Sequence, residues 1–330
     1  MKESLISFAL ILSLIFPLSA DSFADDTPTI SYEDRVRIAE AFAVSEMYGE
    51  EIWTGWNDVP FATLLVTPEY EFLIRHPDPS EDFIPAGYDS LLQSEVYYRP
   101  RVFDTRLLAT FPAVKGVTTV VVGQPGKTGK TGQEWIITLL HEHFHQVQTS
   151  EENYGKDIES LNLSDGKGGM WMLEYPFPYE DEELNEQFKI MSNSLYKAVK
   201  SMGREDYDSF MKERKKFTGM LKEDDYRYFS FQIWQEGIAR YTELVLAGLI
   251  AESYMPTEEL KAIDGYRPFK DVYDTLLNNE IEMLKDISLK DLKRVSYYPV
   301  GAAEGLLMDH FNPGWRQKYF PEKFYIEYYR

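Results

Sequence analysis

Glu134-Trp135-Ile136-Ile137-Thr138-Leu139-Leu140-His141-Glu142-His143-Phe144-His145 is the stretch from which the rest of the chain can be ordered. A mostly apolar run leads into it, and three of the chain's five histidines fall within its last five positions. On a helix, His141 and His145 are four apart and project the same way, one turn above the other. Glu142 stands beside them and reaches the same pocket. His143 points to the opposite face, about 200° round the helix, and is expected to be a packing or surface residue. Two imidazoles on one helical face with an adjacent glutamate form the HExxH arrangement of a hydrolytic zinc site. A chance match would have no reason to follow an apolar helical run.

A catalytic zinc takes three protein ligands and keeps one position open. The 330-residue chain has no cysteine, which excludes disulfides and thiolate ligands and leaves His, Asp or Glu to hold a metal. His76 and His310 are isolated and read as structural. Glu151 lies six residues beyond His145, but a ligand there needs a glycine turn, and Gln148 occupies that place. The better candidate lies in Trp234-Gln235-Glu236-Gly237-Ile238-Ala239-Arg240-Tyr241-Thr242-Glu243. Here Glu236, Arg240 and Glu243 share one face of a strongly apolar helix, where charges are expensive unless paired or bound to metal. We expect Glu236 to be the third ligand, Glu243 to orient a ligand imidazole, and Arg240 to pair with that carboxylate or with substrate. The plainer alternative is a Glu-Arg pair on a solvated stripe. Gly237 and Ala239 are small enough to let another helix approach closely. Downstream, Tyr297-Tyr298-Pro299-Val300-Gly301 precedes an apolar helix. Tyr298, or Tyr297 beside it, could donate its hydroxyl to an oxyanion.

The surrounding pattern is α+β. Tyr32 to Tyr48 has helical spacing, and Phe61 to Val66 with Tyr70 to Ile74 reads as a hairpin around Thr67-Pro68-Glu69. Leu92 to Tyr98 is a third strand, and Val117 to Val122 is the strongest strand in the chain. The loop from Gly123 to Gly132 holds two Gly-Lys-Thr triplets. A phosphate-binding loop needs glycine five positions earlier, where Gln124 and Val121 stand, so a connector near a cleft is expected instead. Beyond residue 150 the periodicity predicts helices near 181–201, 205–222, 228–252, 269–285 and 301–311. A Gly-, Pro- and aromatic-rich loop from Gly166 to Pro178 comes before them, and aromatic Tyr319 to Tyr329 is expected to dock on the core. The expected architecture is a small mixed sheet with the metal-binding helix over 25–150, then a mostly helical subdomain over 151–330.

Leu5 to Leu18 is almost wholly apolar, and Ser19, Ala20, Ser22 and Ala24 follow. That is the layout of a secretory signal over residues 1–24, cleaved after Ala20 or Ala24, and it implies a secreted or periplasmic protein with no stable membrane insertion after its removal. The net charge of −21 argues against nucleic acid and anionic membranes as partners.

Taken together, His141-Glu142-His143-Phe144-His145, Glu236-Gly237-Ile238-Ala239-Arg240-Tyr241 and Tyr298-Pro299-Val300-Gly301 resemble the gluzincin branch of the zincin metallopeptidases, which includes thermolysin and the zinc aminopeptidases. The resemblance implies a zincin-like fold and one catalytic Zn2+ held by His141, His145 and Glu236. It also implies Glu142 as general base and Tyr298 as the residue that stabilises the intermediate. Val117 to Val122 resembles the edge strand that zincins use to hold a peptide by main-chain pairing. The long interval from His145 to Glu236 implies extra helices between the two motifs. No Gly-x-Met-Glu-Asn stretch precedes the metal helix, so recognition of a substrate amino terminus is not implied. The expected activity is hydrolysis of a peptide or protein substrate. The alternatives are hydrolysis of a non-peptide amide or ester, or a catalytically silent zincin-fold protein that binds a cell-envelope ligand.

Overall fold

A computed structural model describes residues 27–164, 166 and 168–329. The leader expected over 1–24 lies outside the described residues. Among those described, no helix is long and apolar enough to cross a membrane.

Helix α1 (Tyr32–Ile52) opens the chain, capped by the Ser31 side chain on Asp34 N. Six strands follow: β1 (Thr63–Val66), β2 (Tyr70–Ile74), β3 (Ile84–Asp89), β4 (Ser94–Pro100), β5 (Leu108–Val114) and β6 (Val117–Gly123). They form one mixed sheet in the order β3-β4-β2-β1-β6-β5. The expected hairpin is β1–β2, paired antiparallel from Thr63–Ile74 to Val66–Glu71.

Two strands were not anticipated, β3 and β5, and they are the two edges of the sheet. Each contains a proline, Pro85 or Pro112, and an edge strand tolerates a residue that cannot donate to a ladder. The strand expected at the edge is instead internal. β6 pairs in parallel with β1 and antiparallel with β5, and its Val120, Val121 and Val122 are fully buried. A run apolar on both faces belongs inside a sheet.

Helix α2 (Gly132–Ser150) follows β6 and carries the histidines. It starts with a capping box: Thr131 N donates to Glu134 Oε2 at 2.9 Å, and the Thr131 side chain accepts from Glu134 N. Two otherwise unpaired backbone donors are thereby satisfied. Trp135, Ile136, Ile137, Leu139, Leu140 and Phe144 are buried on several sides of the helix, which lies between the sheet and the later helices.

The later region is helical: α3 (Glu182–Ser201), α4 (Arg204–Met220), α5 (Glu223–Gln232), α6 (Ile238–Ser253), α7 (Phe269–Met283) and α8 (Tyr297–Phe311). The helix expected over 228–252 starts earlier and is interrupted by a π-helical turn, Ile233–Gly237, between α5 and α6. α8 begins four residues before the expected 301. Pro299 falls in its first turn, where a missing N–H costs nothing. The main apolar cluster runs from Ile30 to Tyr329 and draws on both sides of residue 150. The C-terminal aromatics are docked: Tyr319 stacks on Trp234 at 4.7 Å, and Tyr319 and Tyr329 are fully buried.

One contact fixes how the π turn meets α8. A Cβ on Gly237 would lie 2.6 Å from the Gly301 Cα, and a Cβ on Gly301 would strike the Gly237 backbone. No flexible side chain is there to yield. Gly301→Ala should therefore force the two helices apart and cost about 1–3 kcal/mol, read as a lower melting temperature. It should also carry Tyr298, one turn earlier on α8, away from Glu236. An unchanged melting temperature would show that the close approach is not required.

Candidate metal centre

The facing sides of α2, the π turn and α8 bring three motifs together. His141, His145 and Glu236 each offer one ligand atom, and the three atoms lie within 4.8 Å of one another. Nε2 of His145 is 3.4 Å from Glu236 Oε2, and Nε2 of His141 is 4.0 Å from the same oxygen. Donor atoms about 3–4 Å apart suit a shared ion with bonds near 2 Å. Both histidines are buried, and the Glu236 side chain keeps 16% of its exposure.

Each imidazole is backed on its other nitrogen. His145 Nδ1 lies 2.6 Å from Gln148 Oε1. The Gln148 amide nitrogen donates to Gln235 O at 2.9 Å and to the Tyr319 hydroxyl at 2.7 Å. That orients the Gln148 oxygen towards His145 Nδ1, which also lies 3.0 Å from Gln235 Nε2, and Nε2 is left aimed at Glu236. His141 Nδ1 lies 3.0 Å from Glu243 Oε2, at an angle short of a well-formed hydrogen bond. Glu243 is held at 2.6 Å by Arg240, whose Nε lies 3.5 Å from Glu280. Burial would raise the Glu243 carboxyl, but Arg240 and His141 hold it at about 2, so it stays ionised behind His141. A carboxylate or amide oxygen behind each ligating imidazole is the usual way such ligands are oriented.

The π turn supplies two buried carbonyls to this network. The Ile238 N–H bonds back to Ile233 O, a five-residue step that a regular α-helix does not make. Trp234 O accepts from the Tyr319 hydroxyl at 2.7 Å, and Gln235 O accepts from Gln148. Glu236 lies inside this turn.

Burial would lower the His145 imidazole, but the charge of Glu236 and a hydrogen bond to it prevail and lift it to about 9. Burial would likewise raise Glu236, but His145 draws it down to about 2, helped by His141 and a Tyr298 hydrogen bond. The pair is a carboxylate facing an imidazolium.

Glu142 is buried beside the histidines and takes no part in the ligand group. The Thr110 hydroxyl on β5 sits 2.8 Å from Glu142 Oε2 and 2.9 Å from its carbonyl oxygen, so the edge strand holds the carboxylate in place. Tyr298 stacks parallel to the His141 ring at 6.2 Å, and its hydroxyl accepts from Arg294 Nη1 at 3.0 Å. Tyr297 turns the other way, fully buried among Phe177, Phe188 and Phe229. Of the two tyrosines, only Tyr298 faces the centre.

His143 sits on the far side of α2, stacked on Phe61 at 4.1 Å with Nδ1 2.7 Å from Gln146 Oε1. Burial lowers its imidazole to about 4, so it is a neutral packing group. Glu151 forms the C-cap of α2 and stays outside the ligand group, as do His76 and His310. The Gly-Lys loop forms one short turn, Pro125–Thr128, and then delivers Thr131 as the cap of α2. Sequence reasoning did not find Thr110, Gln148, Gln235, Tyr319 or Arg294. The one visible signal was the Thr131-to-Glu134 capping pattern, which fixes where α2 begins.

No protein-family model, curated protein or solved structure matches the chain.

Proposed function

We propose that the protein is a metallopeptidase of the gluzincin type, with a zincin-like fold and one zinc ion held by His141, His145 and Glu236. The observation that carries this reading is the convergence of both Nε2 atoms on Glu236, with each Nδ1 backed by an oxygen. Two imidazoles and a carboxylate are a donor set that zinc accepts, and three protein donors suit a catalytic rather than a four-coordinate structural site. When bound, zinc supplies Lewis acidity and makes water a better nucleophile near neutral pH.

The chain's own residues do the rest. Glu142 takes the proton of the attacking water and returns it to the leaving amine. Thr110 keeps the Glu142 carboxylate directed while it does so. Burial and the neighbouring Glu236 push the Tyr298 phenol well above its usual range, so it keeps its proton and can donate to the oxyanion. Edge strand β5, which supplies Thr110, offers backbone groups to which an extended peptide could pair. A base held in place by a dedicated hydroxyl favours turnover over a binding-only role.

The test is metal analysis with reconstitution. Purified protein should carry one zinc per chain and cleave members of a peptide library, lose both in chelator, and regain both with zinc. No divalent metal bound at micromolar concentration would end the reading. Metal without turnover on peptides, but with turnover on esters or simple amides, would move the substrate class.

A further inference from the structure

We propose that Arg294 selects peptides presenting a carboxylate beside the scissile bond, either a C-terminal carboxylate or an acidic side chain. This rests on the hydrolase reading above and adds its substrate class. Arg294 lies on the short turn Lys293–Ser296, directly before α8. Its Nη1 is 3.0 Å from the Tyr298 hydroxyl and 3.5 Å from Glu236 Oε1, which places the guanidinium against the third ligand and the oxyanion donor.

Two arginines flank the Tyr298 ring, and they differ. Arg240, 5.7 Å from the ring centroid, is bonded at 2.6 Å to the buried Glu243 and keeps 19% of its side-chain exposure. Arg294 keeps 28% of its side-chain exposure, and its Nε and Nη2 bond to no described residue. An arginine needed only as a counter-ion for Glu236 would have no use for an open fork. That fork matches a carboxylate in two-point contact.

The chain's overall charge sharpens the inference. At a net −21, the protein repels anions generally, so a partly open guanidinium at the centre is a local exception. One extended residue spans roughly 3.3–3.6 Å. A carboxylate on Arg294 therefore lies about one or two residues from atoms held near Glu236.

The test uses the full chain carrying Glu142→Gln, which slows turnover enough for binding to be read, with zinc content checked by mass spectrometry and peptide binding read by calorimetry. The probes are an N-acetyl tripeptide as free acid and as C-terminal amide, and the amide carrying Asp or Asn at its last residue. The carboxylate form of at least one pair should bind roughly 10- to 100-fold more tightly than its neutral partner. Arg294→Gln should bring that ratio near one, and Arg294→Lys should restore part of it. Preference for the free acid identifies the terminal carboxylate, and preference for Asp identifies the side chain. Equal binding within both pairs, a preference that survives Arg294→Gln, or no binding of any probe overturns the proposal. Failure of the hydrolase reading appears separately, as absent turnover by the wild-type chain of peptides that bind with the expected preference.

Discussion

Glu142→Gln is expected to lower turnover by roughly 10^2- to 10^4-fold while leaving metal content and fold unchanged. The substitution keeps size and shape, and the amide oxygen can still accept from the Thr110 hydroxyl that lies 2.8 Å from Oε2. What disappears is the capacity to take and return a proton. Because Glu142 is outside the group of His141, His145 and Glu236, metal affinity should stay close to wild type. Steady-state kinetics on a cleaved peptide, with zinc measured on the same preparation, separates the cases. Activity falling in step with zinc would make Glu142 a structural support for the site. Activity within about tenfold of wild type would mean that another group carries the proton. The fall should appear in kcat, since the base works in the transition state and not in holding the substrate.

The route from sequence to site was uneven, for physical reasons. His141, Glu142 and His145 were legible because helical geometry alone turns a four-residue spacing into one face. Glu236 was legible because charges on an apolar helix require partners, and its carboxylate lies 3.4 Å from His145. Arg240 and Glu243 followed from the same helix, and their positions behind His141 depend on its register.

Other features had no local signal. The π turn that contains Glu236 is read from backbone hydrogen bonds, and Ile233-Trp234-Gln235-Glu236-Gly237 looks like any helix. Gln148 is an ordinary polar residue until the Trp234–Gln235 backbone and Tyr319, 171 positions away, turn its oxygen towards His145. Strand β5 was missed because Pro112 breaks its pattern, although the same strand delivers Thr110 to Glu142. The candidate ligands and base were visible in local helix patterns, whereas the groups that aim them come from long-range contacts.

The Gly237–Gly301 contact links these levels. Its two glycines are unremarkable in the sequence, and in the structure they bring the π turn and α8 to backbone contact. Glu236 precedes one glycine and Tyr298 lies one turn before the other. The proposed third ligand and the proposed oxyanion donor, from distant segments, thus share their position through one packing contact.

Glu236→Ala should abolish stoichiometric zinc binding, with affinity falling by more than the roughly 10- to 100-fold that loss of an outer-shell partner costs. It removes one of three ligands and leaves His141, His145, Arg294 and Tyr298 around the gap, so turnover should fall with the metal. Protein stripped by chelator should report the same carboxylate through pH. With His145 raised to about 9 by Glu236, the stabilisation from its protonation is complete below pH 6.5 and is lost as pH rises through about 9. With Glu236 lowered to about 2, its contribution is present above pH 4.5 and is lost as pH falls through about 2. The stripped wild-type chain should therefore melt highest between about pH 4.5 and 6.5, as far as this pair decides. In Glu236→Ala the partner that raised His145 is gone, burial dominates, and the loss of stability between pH 7 and 9 should disappear. Zinc content by mass spectrometry and melting temperature across pH 3 to 10 check both. A Glu236→Ala chain that still binds one zinc tightly, with the wild-type pH profile, would remove Glu236 from the centre and return the third ligand to question.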